Sequence, residues 1–209
     1  SICTLIGSWI IYDLLCKSFL QHHKKLFAAT GFLLLVGISW FLASVFDGRA
    51  AFIHVGALLG TIMVGNVFFI IIPSQKALVR AAIEGKPLDA SLGKNAGLRS
   101  LHNNYITLPV IFIMISNHFP STFASPYNWA ILAGVTLAGA GARHFINMHE
   151  KGRNLNWLIP AVGVALISLM IVTAPAKRKS AKDLPPVKFS EVEPIFKLRC
   201  TPCHSAHPT

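Results

Sequence analysis

Ala51-Phe-Ile-His-Val-Gly-Ala-Leu-Leu-Gly-Thr-Ile-Met-Val-Gly-Asn-Val-Phe-Phe-Ile-Ile-Ile-Pro73 runs without a single Asp, Glu, Lys or Arg. A helix needs about 20 mostly apolar residues to cross the hydrocarbon of a bilayer, so this stretch reads as one membrane span. Five further segments share its character, at 1–20, 26–46, 101–119, 126–147 and 156–174. The first is the weakest, because Asp13 and Lys17 interrupt its inner end. The expected fold class is therefore all-α, a polytopic transmembrane helical bundle of about six spans over residues 1–174. Composition agrees: of 209 residues 53% are hydrophobic and 13% charged, with mean hydropathy +0.56, whereas about a quarter of the residues of a soluble domain are charged.

Small residues recur at four-residue spacing in two spans, Gly56 and Gly60 in one, Gly134, Ala138 and Ala142 in another. They let helix backbones approach closely, and packing within the bundle is preferred to dimerisation. The polar loop 74–100 opens with Lys76, Arg80 and Glu84 on one helical face and Val79, Ala82 and Ile83 on another. This predicts a short interfacial helix, after which Pro87, Gly93 and Gly97 break the chain.

The net charge of +11 would point to nucleic acid in a soluble protein. Here the basic residues cluster at 17–25, 76–99, 151–153 and 177–182, beside apolar runs. That distribution excludes nucleic acid as a partner and leaves membrane lipid. Loops after the first, third and fifth spans are rich in Lys and Arg, while those after the second and fourth carry one Asp47/Arg49 pair and no charge over 120–125. The positive-inside rule makes the basic loops cytoplasmic and places residue 175 onward outside. The run Lys177–Lys182 dissents. The expected location is a bacterial inner membrane, crossed several times, with the C-terminal end periplasmic.

Cys200-Thr-Pro-Cys-His204 has the C-x-x-C-H pattern that attaches c-type haem, two thiols adding to the porphyrin and the imidazole ligating iron. A zinc site or a chance match is the alternative, but zinc needs four ligands and only His207 lies nearby. Cys3 and Cys16 read as inert packing residues. Residues 175–189, with three prolines and a basic run, read as a linker. Ser190-Glu-Val-Glu193 has the form of a capping box, with Val192, Ile195 and Phe196 at helical spacing behind it. Residues 190–209 therefore resemble the truncated start of a class I cytochrome c domain. Ser1 opens inside an apolar stretch and the chain stops soon after Cys203, so both ends read as cut.

Four histidines lie in predicted spans. By depth His54 and His118 form an outer pair, His102 and His144 an inner one. His102 and His118 are separated by a rise of about 24 Å. Paired imidazoles of this kind hold b-type haem in membrane cytochromes, and polar residues in a bilayer are costly and default to function. The alternative is solvation or a hydrogen bond to a neighbouring helix. His22, His23 and His149 lie in basic loops and are expected to be solvated. His102-Asn103-Asn104-Tyr105, preceded by Arg99, is the densest polar cluster in a span, and Arg143-His144 lies at similar depth. A cation, amides and an imidazole suit an anionic, planar, hydrogen-bond-rich substrate; interfacial anchoring by Asn and Tyr is the competing reading.

Leu101-His-Asn-Asn-Tyr-Ile-Thr-Leu-Pro-Val110, Met114-Ile-Ser-Asn-His-Phe-Pro120, Gly141-Ala-Arg-His-Phe-Ile-Asn147, Trp9-Ile-Ile-Tyr-Asp-Leu-Leu-Cys16 and Ile53-His-Val-Gly56 resemble the membrane-bound urate oxidase (urate hydroxylase) family. That family joins a multi-helix membrane domain to a C-terminal cytochrome c, and the likeness covers about residues 1–205. It implies oxidation of urate or a related purine toward 5-hydroxyisourate, with electrons passing to the fused cytochrome and on to a respiratory-chain acceptor. It also implies further helices upstream. Inside the matching motifs the expected catalytic residues are His102, Asn103, Asn104, Arg143 and His144. Expected cofactor ligands are Cys200, Cys203 and His204 for haem c, with His204 on the iron, and His54 and His118 for a haem b. Two other classes compete. One is an electron-transfer module passing quinol electrons to cytochrome c. The other is a transporter, which the gathering of polar residues near span ends argues against.

Overall fold

The computed structural model describes residues 2–174, 186–201 and 204, and every regular element among them is helical. The chain divides into two units, residues 1–174 and 175–209. In the first, α1 (Ile2–Lys17) turns through a short 3₁₀ segment into α2 (Lys24–Val45). Next come α3 (Gly48–Gly65), a π-helical turn (Asn66–Ile71) and α4 (Ile72–Ile83), then α5 (Ala90–Ile115), the single turn α6 (Pro120–Phe123), α7 (Asn128–His149) and α8 (Leu158–Val172).

α3 is the central helix. Ala51, Phe52, Val55, Leu58, Leu59 and Ile62 from it form the core with Leu42 of α2, Ile113 of α5 and Leu132 of α7. α1 and α5 pack on α3, α7 packs on both α2 and α5, and α8 packs on α7. Around this narrow core the outer faces stay apolar. Ile10, Leu33, Phe68, Leu137, Ile167 and Met170 are all exposed, a surface that water would not tolerate over such an extent and that lipid tails cover.

Among the described residues three helices are long and apolar enough to cross a membrane, Lys24–Val45, Gly48–Ile83 and Asn128–His149. α1 with 16 residues and α8 with 15 fall short of about 20, and α5 carries Lys94, Arg99 and the polar run behind it. The structure keeps the helix expected early in residues 74–100 and the break at Pro87, and corrects the rest of that reading. Pro73 does not end the third span, because the widened π turn before it takes up the ring clash and missing N–H that a proline brings. The helix runs on for 36 residues to Ile83, about 54 Å at 1.5 Å per residue. It stops at Gly85, whose φ of +65° permits a Schellman turn, with Lys86 N donating to Ala81 O at 2.9 Å and Gly85 N to Ala82 O at 3.3 Å. Gly93 and Gly97 break nothing. Asp89 Oδ1 accepts from Ser91 N at 2.8 Å, capping a helix that passes through both glycines and packs on α4. The Ser91 hydroxyl and, next, its backbone N–H hold the exposed Asp89 carboxyl below its ordinary pKa.

In the second unit α9 spans Phe189–Arg199. The expected capping box does not form. The helix opens two residues earlier, with Lys188 as its N-cap, and Glu193 pairs with Lys197 at 2.8 Å. The expected linker falls mostly outside the described residues.

The small-residue pairs separate by contact. A Cβ on Gly56 would stand 2.6 Å from Ile113 Cγ2, while one on Gly60 would meet nothing within 4 Å. Gly56→Ala is expected to destabilise the bundle by about 1–3 kcal/mol through overpacking, and Gly60→Ala to leave it unchanged or slightly stabilised. Thermal unfolding in detergent checks this; equal midpoints for the two variants would contradict the packing.

Candidate functional site

α5 carries the polar run that the sequence marks out, and successive residues on a helix point about 100° apart. Arg99, His102 and Asn103 therefore share one face, and Asn104 and Tyr105 turn to another. The structure sends these faces to different neighbours. The single inner cluster expected from the sequence is two clusters, one on each side of α5.

On the first side, Trp9, Tyr12, Asp13 and Cys16 line one stripe of α1 at i, i+3, i+4 and i+7. Arg99 Nη2 donates to Asp13 Oδ1 at 2.6 Å, with the Arg99 side chain only 1% exposed and that of Asp13 8%. Lys17, at the exposed end, holds Asp13 Oδ2 at 2.6 Å. Arg99 Nη1 donates to Asn66 Oδ1 at 3.3 Å, and Asn66 Nδ2 donates to Asn103 Oδ1 at 2.8 Å and to Tyr12 Oη at 3.2 Å. Asn66 is fully buried at the start of the π turn. Asn103 Nδ2 closes the network on Met63 O at 3.0 Å. Tyr12 Oη and His102 Nδ1 share a hydrogen bond of 2.7 Å, and Phe27 of α2 stacks on the imidazole at 4.7 Å and 15°. The buried Arg99 has its counter-charge here, with Lys17 as a second, exposed cation on the same carboxylate, and both ends of the Asn103 amide are taken up in joining α3 to α5.

On the second side, α5 meets α7. A Cβ on Gly139 would lie 3.2 Å from Leu108 Cβ and 3.3 Å from Pro109 Cδ, so the two helices touch closely one turn from the polar groups. Arg143 Nε donates to Asn104 Oδ1 at 2.9 Å, and Asn147 Nδ2 donates to the same oxygen at 3.0 Å. Tyr105 Oη and His144 Nδ1 share a hydrogen bond of 2.7 Å with their rings stacked 6.1 Å apart. Arg143 and His144 are half-buried and Asn147 is buried. Unlike Arg99, Arg143 has no carboxylate partner among the described residues. Its two terminal nitrogens, the Asn104 amide nitrogen, Asn147 Oδ1 and His144 Nε2 have no hydrogen-bond partner among the described residues. Two surface grooves, of about 530 Å³ along α4 and about 380 Å³ along α2, include none of these side chains.

His102 and His144 are thus each bound to a tyrosine on opposite sides of α5. His54 Nδ1 is hydrogen-bonded to Ala50 O at 2.8 Å and its ring stacks on Phe46 at 4.6 Å, while His118 is exposed at the end of a 3₁₀ turn. No hydrogen bond or ring contact joins the two among the described residues. Of the two, His54 has the fixed Nδ1 and open Nε2 that a ligating imidazole carries. No group of three or more His, Cys, Asp or Glu side chains gathers as a metal site among the described residues.

At the C-terminal motif, Cys200 N and Thr201 N both donate to Phe196 O, and His204 N donates to Cys200 O at 2.8 Å. One helical turn therefore separates the thiol-bearing residue from the imidazole-bearing one, which suits a group held by both. Cys203 and His207 lie outside the described residues.

Reading residue types alone missed Tyr12, Asp13, Asn66 and Asn147. The usable signal was cost: Asp13 and Asn66 are polar residues set inside apolar runs, and such residues in membranes are partnered. Asp13→Asn is expected to leave Arg99 buried without its counter-charge and to lower stability by about 3–5 kcal/mol. The joint change Asp13→Leu with Arg99→Met should cost clearly less. Thermal unfolding of the purified protein in lipid nanodiscs measures both; an Asp13→Asn midpoint equal to the native one would refute the brace.

Residues 1–174 match the family described as urate oxidase N-terminal. No curated protein and no solved structure matches the chain. The match takes in both sides of α5 and every helix of the first unit, and the chain belongs to the urate oxidase N-terminal family.

Proposed function

We propose that this protein is a multi-pass membrane oxidoreductase that oxidises urate between α5 and α7 and delivers the electrons to a c-type haem on its periplasmic C-terminal end. The six apolar segments would serve as spans, α1 and α8 tilting little and α5 crossing with its polar faces turned inward. One observation carries the choice of site. Arg143 is a half-buried guanidinium with no carboxylate partner among the described residues, and such a charge in a lipid-covered bundle calls for an anion. The urate monoanion supplies one, with carbonyl oxygens for the guanidinium fork and the Asn104 amide.

The reaction balances as urate monoanion plus water giving 5-hydroxyisourate, one proton and two electrons. With its proton on Nδ1, donated to Tyr105 Oη, His144 presents Nε2 as the base that takes the proton from the attacking water. Arg143 and Asn104 hold the ring and stabilise charge building on its oxygens. His102 and Asn103, on the far side of α5, keep the helix in register. Cys200, Cys203 and His204 would hold the haem, which supplies a one-electron acceptor when bound.

The test is urate-driven reduction of haem c in membranes without oxygen. Arg143→Gln should raise KM by about 10- to 100-fold, the worth of hydrogen bonds to a charged group. His144→Ala should lower kcat by about 100-fold or more, with covalent haem content unchanged in both. Haem c that stays oxidised with urate yet is reduced by quinol would make the chain an electron-transfer module instead.

A further inference from the structure

We propose that Asn147 is a positioning residue that fixes which end of the Asn104 amide faces the substrate, making the α5–α7 site a surface of donors selective for the oxo edge of an anionic purine; this rests on the reading that urate binds beside Arg143. Arg143 Nε can only donate. The Asn104 atom 2.9 Å from it must therefore be the carbonyl oxygen. The same oxygen lies 3.0 Å from Asn147, so the Asn147 atom there must be its amide nitrogen. Two donors converge on one acceptor and fill both of its lone pairs. The Asn104 amide nitrogen is left with two N–H groups that have no partner among the described residues.

Apart from the basic Nε2 of His144, what the site then offers outward is donors, the Arg143 fork and the Asn104 N–H groups. Carbonyl oxygens and a delocalised negative charge match it, and an amino group in their place would meet a second donor. Asn147 touches none of these outward atoms. It is 7% exposed and lies one turn beyond Arg143 on α7, so its influence passes entirely through the Asn104 amide.

Replacement of Asn147 separates this role from mere packing. Asn147→Asp removes one of the two donors that hold the Asn104 oxygen and sets a carboxylate one turn from Arg143, which draws the guanidinium away and frees the amide to turn an oxygen toward the ligand. Asn147→Gln keeps a donor. In the full-length haem-loaded protein in nanodiscs, with urate as the varied substrate, Asn147→Asp should raise KM at least tenfold with kcat within threefold of native. Asn147→Gln should keep KM within threefold. A loss of packing would instead lower the active fraction and thermal midpoint in both variants without moving KM. Where Asn147→Asp fails to accumulate, Asn147→Leu replaces it, with an expected three- to tenfold rise. KM within twofold of native in the variant measured overturns the proposal. Arg143→Gln in parallel tells the two claims apart: if it leaves KM unchanged, the urate site itself is wrong, and if it raises KM while the Asn147 variants do not, only the role of Asn147 is lost.

Discussion

Arg99 and Asp13 meet at 2.6 Å with their side chains 1% and 8% exposed, and that ion pair dictates how α1, the π turn and α5 come together. A buried guanidinium without a counter-ion costs several kcal/mol, so no arrangement that parts α1 from α5 is tolerable. Asn66 then has to stand where the Arg99 fork can reach it, at the end of α3 and the start of the π turn. The widened turn also lets the helix pass Pro73 and continue to Ile83. Position, register and helix continuity follow from one charge that must be neutralised.

α5 is consequently a helix with two polar faces and two different duties. Towards α1 Arg99 and Asn103 are bound within the bundle, although Arg99 Nε and His102 Nε2 have no hydrogen-bond partner among the described residues, and the face acts as a clasp. Towards α7 the helices approach closely at Gly139, yet Arg143, Asn104 and His144 keep polar atoms to spare. The contrast between a paired arginine and an unpaired one, on helices of the same bundle, is the physical basis for placing chemistry on the α7 side. Polar groups that are fully used stabilise; groups left open in an apolar setting bind.

The helical class and the helices themselves were legible because apolar runs of this length have few other uses. The breaks were less so. Pro73, Gly93 and Gly97 look like punctuation in the sequence, but a π turn absorbs the first and helix packing overrides the others, an effect that propensity cannot anticipate. His102, Asn103, Asn104, Arg143 and His144 were all singled out from residue type and depth. What stayed hidden was their division, since adjacent letters in His102-Asn-Asn-Tyr105 face opposite ways and only the neighbouring helices reveal which matters. Asp13 and Asn66 could have been found by asking what neutralises Arg99; Asn147 could not, because its role arises from an amide it meets across 43 positions of sequence.

The most direct measurement is a structure of the full-length protein in nanodiscs saturated with urate under anaerobic conditions. The account predicts a planar ligand between α5 and α7, within hydrogen-bonding distance of the terminal nitrogens of Arg143 and the amide nitrogen of Asn104, with Nε2 of His144 over the ring. A ligand on the other side of α5, against His102, Tyr12 and Phe27, would contradict it.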